Sequence, residues 1–316
     1  MDTRIRPLLE VELDQADNVF RLAFGTFLGL PDPVRMFPDT DLVRTRFRTD
    51  PSSFFAAEST GDIVGSNFAT NWGSVGFFGP LTVRPDLWDQ GIGSKLMEPI
   101  MEKFQTWGCS HTGLFTFPHS AKHHGLYQKF GFWPRFLTPV LEKPTQAGKP
   151  APARWSSYIA AAEADRPALL KEIRAITESI YPGLDVTRSE IEPLARNGWG
   201  DVVLVDDGAR LVAFAVCHCG RGTEAESDVC YVKFGGLRPG EGAERHFEQL
   251  LDSCLDLAKQ RGLAHLSAGV NMGRHRAYRA MLGRGFRAGM LTGVTMHRPN
   301  EDGYDRADSF IIDDWR

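Results

Sequence analysis

A shift of 154 residues lays one half of this chain on the other. Gly131-Phe132 falls on Gly285-Phe286, Arg84-Pro85 on Arg238-Pro239, Gly108 on Gly262 and Ile5 on Ile159. Well-separated landmarks at one offset, without gaps, imply two tandem copies of one fold. Between the copies runs Lys143-Pro144-Thr145-Gln146-Ala147-Gly148-Lys149-Pro150-Ala151-Pro152, which holds three prolines and no large apolar residue and reads as a linker. The expected organisation is a domain over 1–142, a linker over 143–153 and a second domain over 154–316. A length of 316 residues agrees, at roughly 150 residues per domain.

Each copy carries the same run of elements. A short strand near Ile5 (Ile159) precedes helical stretches at Asp14–Phe24 and Ala164–Ile180. Strands follow at Ser53–Glu58 and Ile63–Ala69, and at Val202–Val205 and Leu211–Cys217. Another strand leads into the Arg-Pro pair. Then comes a long amphipathic helix: Leu96, Met97, Ile100, Met101 and Phe104 recur at helical spacing, as do Phe247, Leu250, Leu251, Cys254, Leu255 and Ala258. A strand, a short helix and a final strand pair are expected to close each half. This alternation predicts an α/β (α+β mixed sheet) architecture.

Charge excludes several partners. Lysine plus arginine total 36 and aspartate plus glutamate 40, a formal net charge of −4. Nucleic-acid binding wants a basic face, so none is expected. No apolar run approaches the ~20 residues needed to span a bilayer, so no membrane partner is expected either. Residues 1–4 do not lead into an apolar signal core, and five scattered cysteines make no disulfide framework. A cytoplasmic location is the expectation.

The chemistry sits in Leu81-Thr82-Val83-Arg84-Pro85-Asp86-Leu87-Trp88-Asp89-Gln90-Gly91-Ile92-Gly93-Ser94-Lys95-Leu96. A strand turns into a helix whose start holds two glycines. Amides at a helix start point outward unpaired, and the dipole there favours anions. Glycines remove the side chains that would keep a phosphate from those amides. Asp89, Gln90, Gly91, Ile92, Gly93, Ser94 and Lys95 are therefore candidates for a pyrophosphate cradle, and a tight strand–helix turn without a ligand is the plainer alternative. Upstream, Gly79-Pro80 interrupts Phe77–Val83, and proline cannot donate to a ladder, so a bulge or unpaired edge belongs there.

These residues resemble the GCN5-related N-acetyltransferase (GNAT) superfamily. Val83 and Pro85 match its V-x-P element, and Gly91 and Gly93 its Q/R-x-x-G-x-G/A loop; Trp88 stands at the Q/R position, a departure. Leu126-Tyr127-Gln128-Lys129-Phe130-Gly131-Phe132 is similar to the family's [F/L]-Y-x-x-x-G-F element. The resemblance implies two tandem acyl-CoA N-acyltransferase domains and acetyl-CoA as co-substrate. It implies Leu81, Thr82 and Val83 beside the pantetheine arm and Tyr127 as the acid that protonates the leaving thiolate. It implies acetyl transfer to a primary amine, by direct attack in a ternary complex. The acceptor is a small molecule or peptide amine; self-association is left open, and no metal is expected. A non-catalytic acyl-CoA-binding or sensor protein is the alternative, because Phe77–Val83 contains no carboxylate to act as base.

Acetyl transfer needs a neutral amine, against a reference pKa of ~10.4 for a lysine-like ammonium. It also needs a donor for the oxyanion, most simply a backbone amide near Val83. Base candidates are Glu58, His119, His123 or a chain of waters, the histidines standing at i, i+4 and sharing a face if helical, with a polar surface or cap role as the plainer alternative. Phe24, Phe27 and Trp72 are candidates for a pocket wall, with core packing as the alternative. His119-x-x-x-His123 lacks the glutamate of a zinc motif, and Cys217 and Cys219 share one strand face without a second ligand pair. In the second half the offset puts Gly91 on Arg245, Gly93 on Phe247 and Tyr127 on Met281. Bulky side chains there would obstruct phosphate, so this copy reads as degenerate, burying a face of the first and shaping the acceptor pocket; Gly240 and Gly242 follow Arg238-Pro239, so a rearranged loop, with both halves binding cofactor, is the alternative.

Overall fold

The computed structural model describes residues 3–146 and 155–316. The first half runs β1 (Arg4–Pro7), α1 (Leu13–Phe27), α2 (Leu42–Thr49), β2 (Phe54–Ser59), β3 (Asp62–Trp72), β4 (Val75–Phe78), β5 (Thr82–Val83), α3 (Ile92–Trp107), β6 (His111–Thr116), α4 (Ala121–Gln128) and β7 (Trp133–Pro144). The second runs β8 (Ser156–Ser157), α5 (Arg166–Ile180), α6 (Glu192–Asn197), β9 (Gly200–Asp206), β10 (Leu211–Cys219), β11 (Val229–Leu237), α7 (Ala243–Gln260), β12 (His265–Gly269), α8 (His275–Gly283) and β13 (Arg287–Arg298). Ile159 lies in a turn just after β8, not in a strand. No helix among the described residues is long and apolar enough to cross a membrane.

The strands join edge to edge in one mixed sheet, ordered β1-β2-β3-β4-β6-β13-β7-β12-β11-β10-β9-β8, with β5 against β3. The centre departs from the expected closure of each half by its own strand pair. Only one strand follows the short helix in each copy, and the two cross over. β13 of the second half lies between β6 and β7 of the first, while β7 pairs on its other edge with β12. Met296 of β13 is buried in the first half's core with Phe78, Ile100 and Tyr127. Leu141 of β7 is buried in the second half's core with Val232 and Phe247. Each copy thus supplies an apolar strand that the other needs to cover its sheet edge. Lys143 and Pro144, expected to begin the linker, are the end of β7 and face His265 and Leu266. The rest of the expected linker from Ala147 lies outside the described residues.

The repeat is also not free of gaps. α3 starts after Gly91, α7 after Gly242, and both caps are left-handed, with φ of +78° and +79°. Gly91 therefore corresponds to Gly242, not Arg245. The loop after Arg-Pro is three residues shorter in the second copy; α7 is two residues longer than α3 (18 against 16), and Arg261 stands between its end and Gly262, which together restore the offset. Phe247 is fully buried in the core between α7 and the sheet.

After β13 the chain returns through the interior. Phe310, Ile311, Ile312 and Trp315 are all buried. Ile312 forms an antiparallel bridge with Gly235, both hydrogen bonds being 2.8 Å. Arg274 holds this tail: its guanidinium donates to Asp305 (2.7 Å), to both oxygens of Asp313 (2.9 and 3.0 Å) and to the Ile311 carbonyl (3.0 Å).

Candidate active site

The site begins where two parallel strands part. β4 pairs with β6 up to Phe78 opposite Leu114. Gly79 then turns at φ +127°, and the chain resumes as β5, which pairs with β3 (Ser66 opposite Thr82, Gly65 opposite Val83) and no longer with β6. Gly79-Pro80 is thus the interruption that its proline demands. The cleft opens into one cavity of about 710 Å³.

Helix α3 starts at one end of that cavity. Gly91 adopts a backbone conformation that costs an L-residue roughly 1–2 kcal/mol. A Cβ on Gly91 would meet nothing within 4 Å, so its outer face is open space. The first-turn amides have no intrahelical acceptor, and Gly91, Ile92, Gly93 and Ser94 line the cavity. The cradle fits an anion. Trp88, at the departing position of the loop, donates its indole N–H to the Val83 carbonyl at 2.7 Å and pins loop to strand. Lys122 of α4 bonds Asp89 at 2.8 Å and lies 5.1 Å above the Trp88 ring. It sets a cation beside the cradle that the sequence reading missed.

Of the expected cofactor residues, Leu81, Thr82, Val83, Asp89, Gly91, Ile92, Gly93 and Ser94 line the cavity; Gln90 and Lys95 are exposed and do not. Thr82 is buried with its hydroxyl 3.1 Å from that of Ser66. Tyr127 also lines the cavity. It is buried with its ring edge-on to Phe78, 5.5 Å away, and Thr116 is the polar side chain that acts on its hydroxyl. Burial pushes its phenol up, which keeps it protonated at neutral pH.

The three base candidates separate. Glu58 is ion-paired to Arg6 at 2.5 Å and does not line the cavity. His119 precedes the helix, whose cap is Ser120, so the two histidines do not share a helix face; its ring stacks on Phe27 from an exposed position. His123 alone lines the cavity, stacked 5.0 Å from Phe27 with Nδ1 3.4 Å from the Thr116 hydroxyl. Burial, with Lys122 adding to it, lowers its pKa to about 4, so the imidazole is neutral at pH 7.

The far end has walls from both halves. Phe24 and Phe27 line it together with Phe117, whereas Trp72 is buried in the core and bonded to Glu190. Glu224, Glu226 and Tyr231 come from the second half. Beneath, Arg46 of α2 donates to the Gly79 carbonyl at 2.7 Å and pairs with Glu224 at 2.8 Å, which Lys233 also reaches at 2.8 Å. Burial works against charge on Glu224, yet Arg46 and Lys233 hold its carboxyl well below the usual range. This knot ties the cleft's floor to the second half. Nothing local marks Arg46 or Glu224 in the sequence, because they are 178 positions apart.

The second half has the same strand parting, after Val232 opposite Ala268. There the cleft is filled. Gly235, the counterpart of Leu81, is bridged by Ile312, whose side chain lies 3.3 Å from where a Gly235 Cβ would stand. The tyrosine's counterpart is Met281, fully buried. The helix start remains approachable, beside Arg210, Arg238, Arg245 and His246, so obstruction there by Arg245 and Phe247 is not what distinguishes the halves. Cys217, Cys219, Cys230 and Cys254 pack within this half's sheet and helix, with Cys217–Cys254 and Cys219–Cys230 sulfurs 3.9 and 3.8 Å apart.

Residues 17–132 match the model of the acetyltransferase (GNAT) family. No curated protein matches the chain. Solved structures match nearly all of it at low identity. A protein of Pyrococcus horikoshii with a proposed acetyltransferase assignment superposes at a TM-score of 0.69 and 15% identity, covering 99% of this chain and 95% of that one. A GCN5-related N-acetyltransferase of Sphaerobacter thermophilus gives 0.56 and 14%, covering 94% and 95%. A tandem GNAT protein from the clavulanic acid biosynthesis pathway gives 0.57 and 13%, covering 94% and 98%. At these identities the likeness is one of fold.

Proposed function

Residues 17–132 being a domain of the acetyltransferase (GNAT) family, within a chain folded as a tandem of such domains, we propose that the chain moves an acetyl group from acetyl-CoA to a primary amine at one site, in the first half. The observation that carries this is the contrast between two equivalent clefts: one open, lined by the glycine cradle and Tyr127, the other filled by residues 310–315. The working unit is the domain over 1–142 completed by β13, and the domain over 154–316 walls the acceptor end.

The co-substrate supplies an activated thioester. The chain's residues do the rest. First-turn amides of α3 hold phosphate, with Lys122 adding charge. The unpaired edge beside Leu81, Thr82 and Val83 takes the extended arm and offers an amide to the oxyanion. Tyr127, kept protonated by burial, delivers a proton to sulfur. Glu142 and Glu226 line the acceptor end, the Glu226 carboxyl raised by burial and by Glu142, and this rim suits a cationic amine. The attack is direct, within a ternary complex.

Titration calorimetry of the whole chain with acetyl-CoA tests the site. One site per chain is expected; two sites would remove the plugged-cleft argument, and none would leave the fold without the activity. Tyr127→Phe is expected to lower kcat about 100-fold with acetyl-CoA affinity unchanged. The absence of a carboxylate on Phe77–Val83 keeps one rival in view, a non-catalytic acyl-CoA-binding protein. Thiol release on a panel of amines separates the two.

A further inference from the structure

The reaction leaves one proton on the attacking nitrogen and needs one on the departing sulfur. We propose that His123, Thr116 and Tyr127 form a relay that joins those two ends. The proposal rests on acetyl transfer at this site with Tyr127 as acid. His123 and Tyr127 stand four residues apart on α4, so both face the same side. That side meets Thr116, the last residue of β6 and 5% exposed. The Thr116 hydroxyl lies 3.4 Å from His123 Nδ1 and close enough to the Tyr127 hydroxyl to act on its ionisation. All three side chains line the one cavity. With Nδ1 turned to Thr116, Nε2 is the nitrogen left for the acceptor. The Phe27 ring, stacked on the imidazole from α1, fixes its plane.

The balance closes for an amine that has given its ammonium proton to solvent and attacks as the neutral base. The amine nitrogen bonds to the acetyl carbon, and the carbon–sulfur bond breaks. The nitrogen's proton goes to His123 Nε2, and the Nδ1 proton passes to the Thr116 oxygen. The Thr116 proton passes to the Tyr127 oxygen, and the Tyr127 proton goes to sulfur. The imidazole ends in its other tautomer and is reset through solvent once products leave. This supplies a base where the strand carries no carboxylate.

Full-length Thr116→Val, Thr116→Ser, His123→Gln and the Thr116→Val/His123→Gln double variant test it. Calorimetry with acetyl-CoA comes first: no binding to the wild-type chain overturns the acetyl-transfer reading, and the relay with it. With binding intact, thiol release is followed on the best primary amine of a panel, or on water if none turns over, since either loses a proton on attack. No release at all overturns both readings. The relay predicts that Thr116→Val and His123→Gln each lower kcat about 100-fold with acetyl-CoA affinity held within about twofold. It predicts that Thr116→Ser, which restores the hydroxyl, stays within about threefold of wild type. The double variant is expected to be no slower than the slower single one, as for groups acting as a unit. Wild-type kcat in Thr116→Val, or losses that multiply in the double variant, overturn the relay while leaving acetyl transfer standing.

Discussion

Gly93→Arg is expected to abolish acetyl-CoA binding, by at least about 100-fold or ~2.8 kcal/mol. A Cβ on Gly93 would stand 3.3 Å from Leu126 Cδ2 and 3.6 Å from Leu81 Cδ2, in the gap between the splayed strand and α4. Those contacts are mobile side-chain ends, so Gly93→Ala is accommodated by a shift of a few tenths of an ångström and should bind nearly as wild type. An arginine extends past them into the space beside the first-turn amides, and the phosphates lose their approach. Calorimetry on both variants reads the contrast directly. Binding retained in Gly93→Arg, with the protein folded, would sink the loop assignment.

Replacing Arg274 with methionine should destabilise the fold by about 3–5 kcal/mol. The side chain is fully buried and sits between Asp305 and Asp313, over the Tyr304 ring at 5.2 Å. Without it two carboxylates remain buried with their cation gone, and burial already pushes Asp313 up to about 6 with that cation present. The Ile311 carbonyl loses its donor too, which loosens the strand that fills the second cleft. Arg276, two positions on, pairs with Glu244 where both are half exposed, so Arg276→Ala should cost under about 1 kcal/mol. Denaturant midpoints of the two variants make the comparison. A loss below about 1 kcal/mol in Arg274→Met would show that the buried knot does not hold the tail.

Local chemistry made much of the first half legible. The helix faces of α3 and α7 follow from apolar spacing, and Leu96, Met97, Ile100 and Phe104 are buried as that spacing requires. Gly79-Pro80 breaks the strand because one residue lacks an N–H. The capping glycine and the tyrosine before Gly131-Phe132 sit within short segments whose geometry is set by neighbours in sequence. In the second half the same reasoning slipped by three residues at the helix start. A fixed offset cannot see a shorter loop compensated by a longer helix.

What the sequence by itself determined is the repeat, the strand–turn–helix with its glycines, and the residues at one end of the cavity. These depend on backbone rules and periodicity, which act over a few residues. Only the tertiary structure decided which cleft stays open, because the plug at Gly235 comes from Ile312, 77 positions away. It alone decided that β7 and β13 trade places, that Arg46 meets Glu224, and that Thr116 lies between His123 and Tyr127. Such contacts are chosen by burial and charge pairing once the sheet is assembled, and neither leaves a spacing that a linear reading can find.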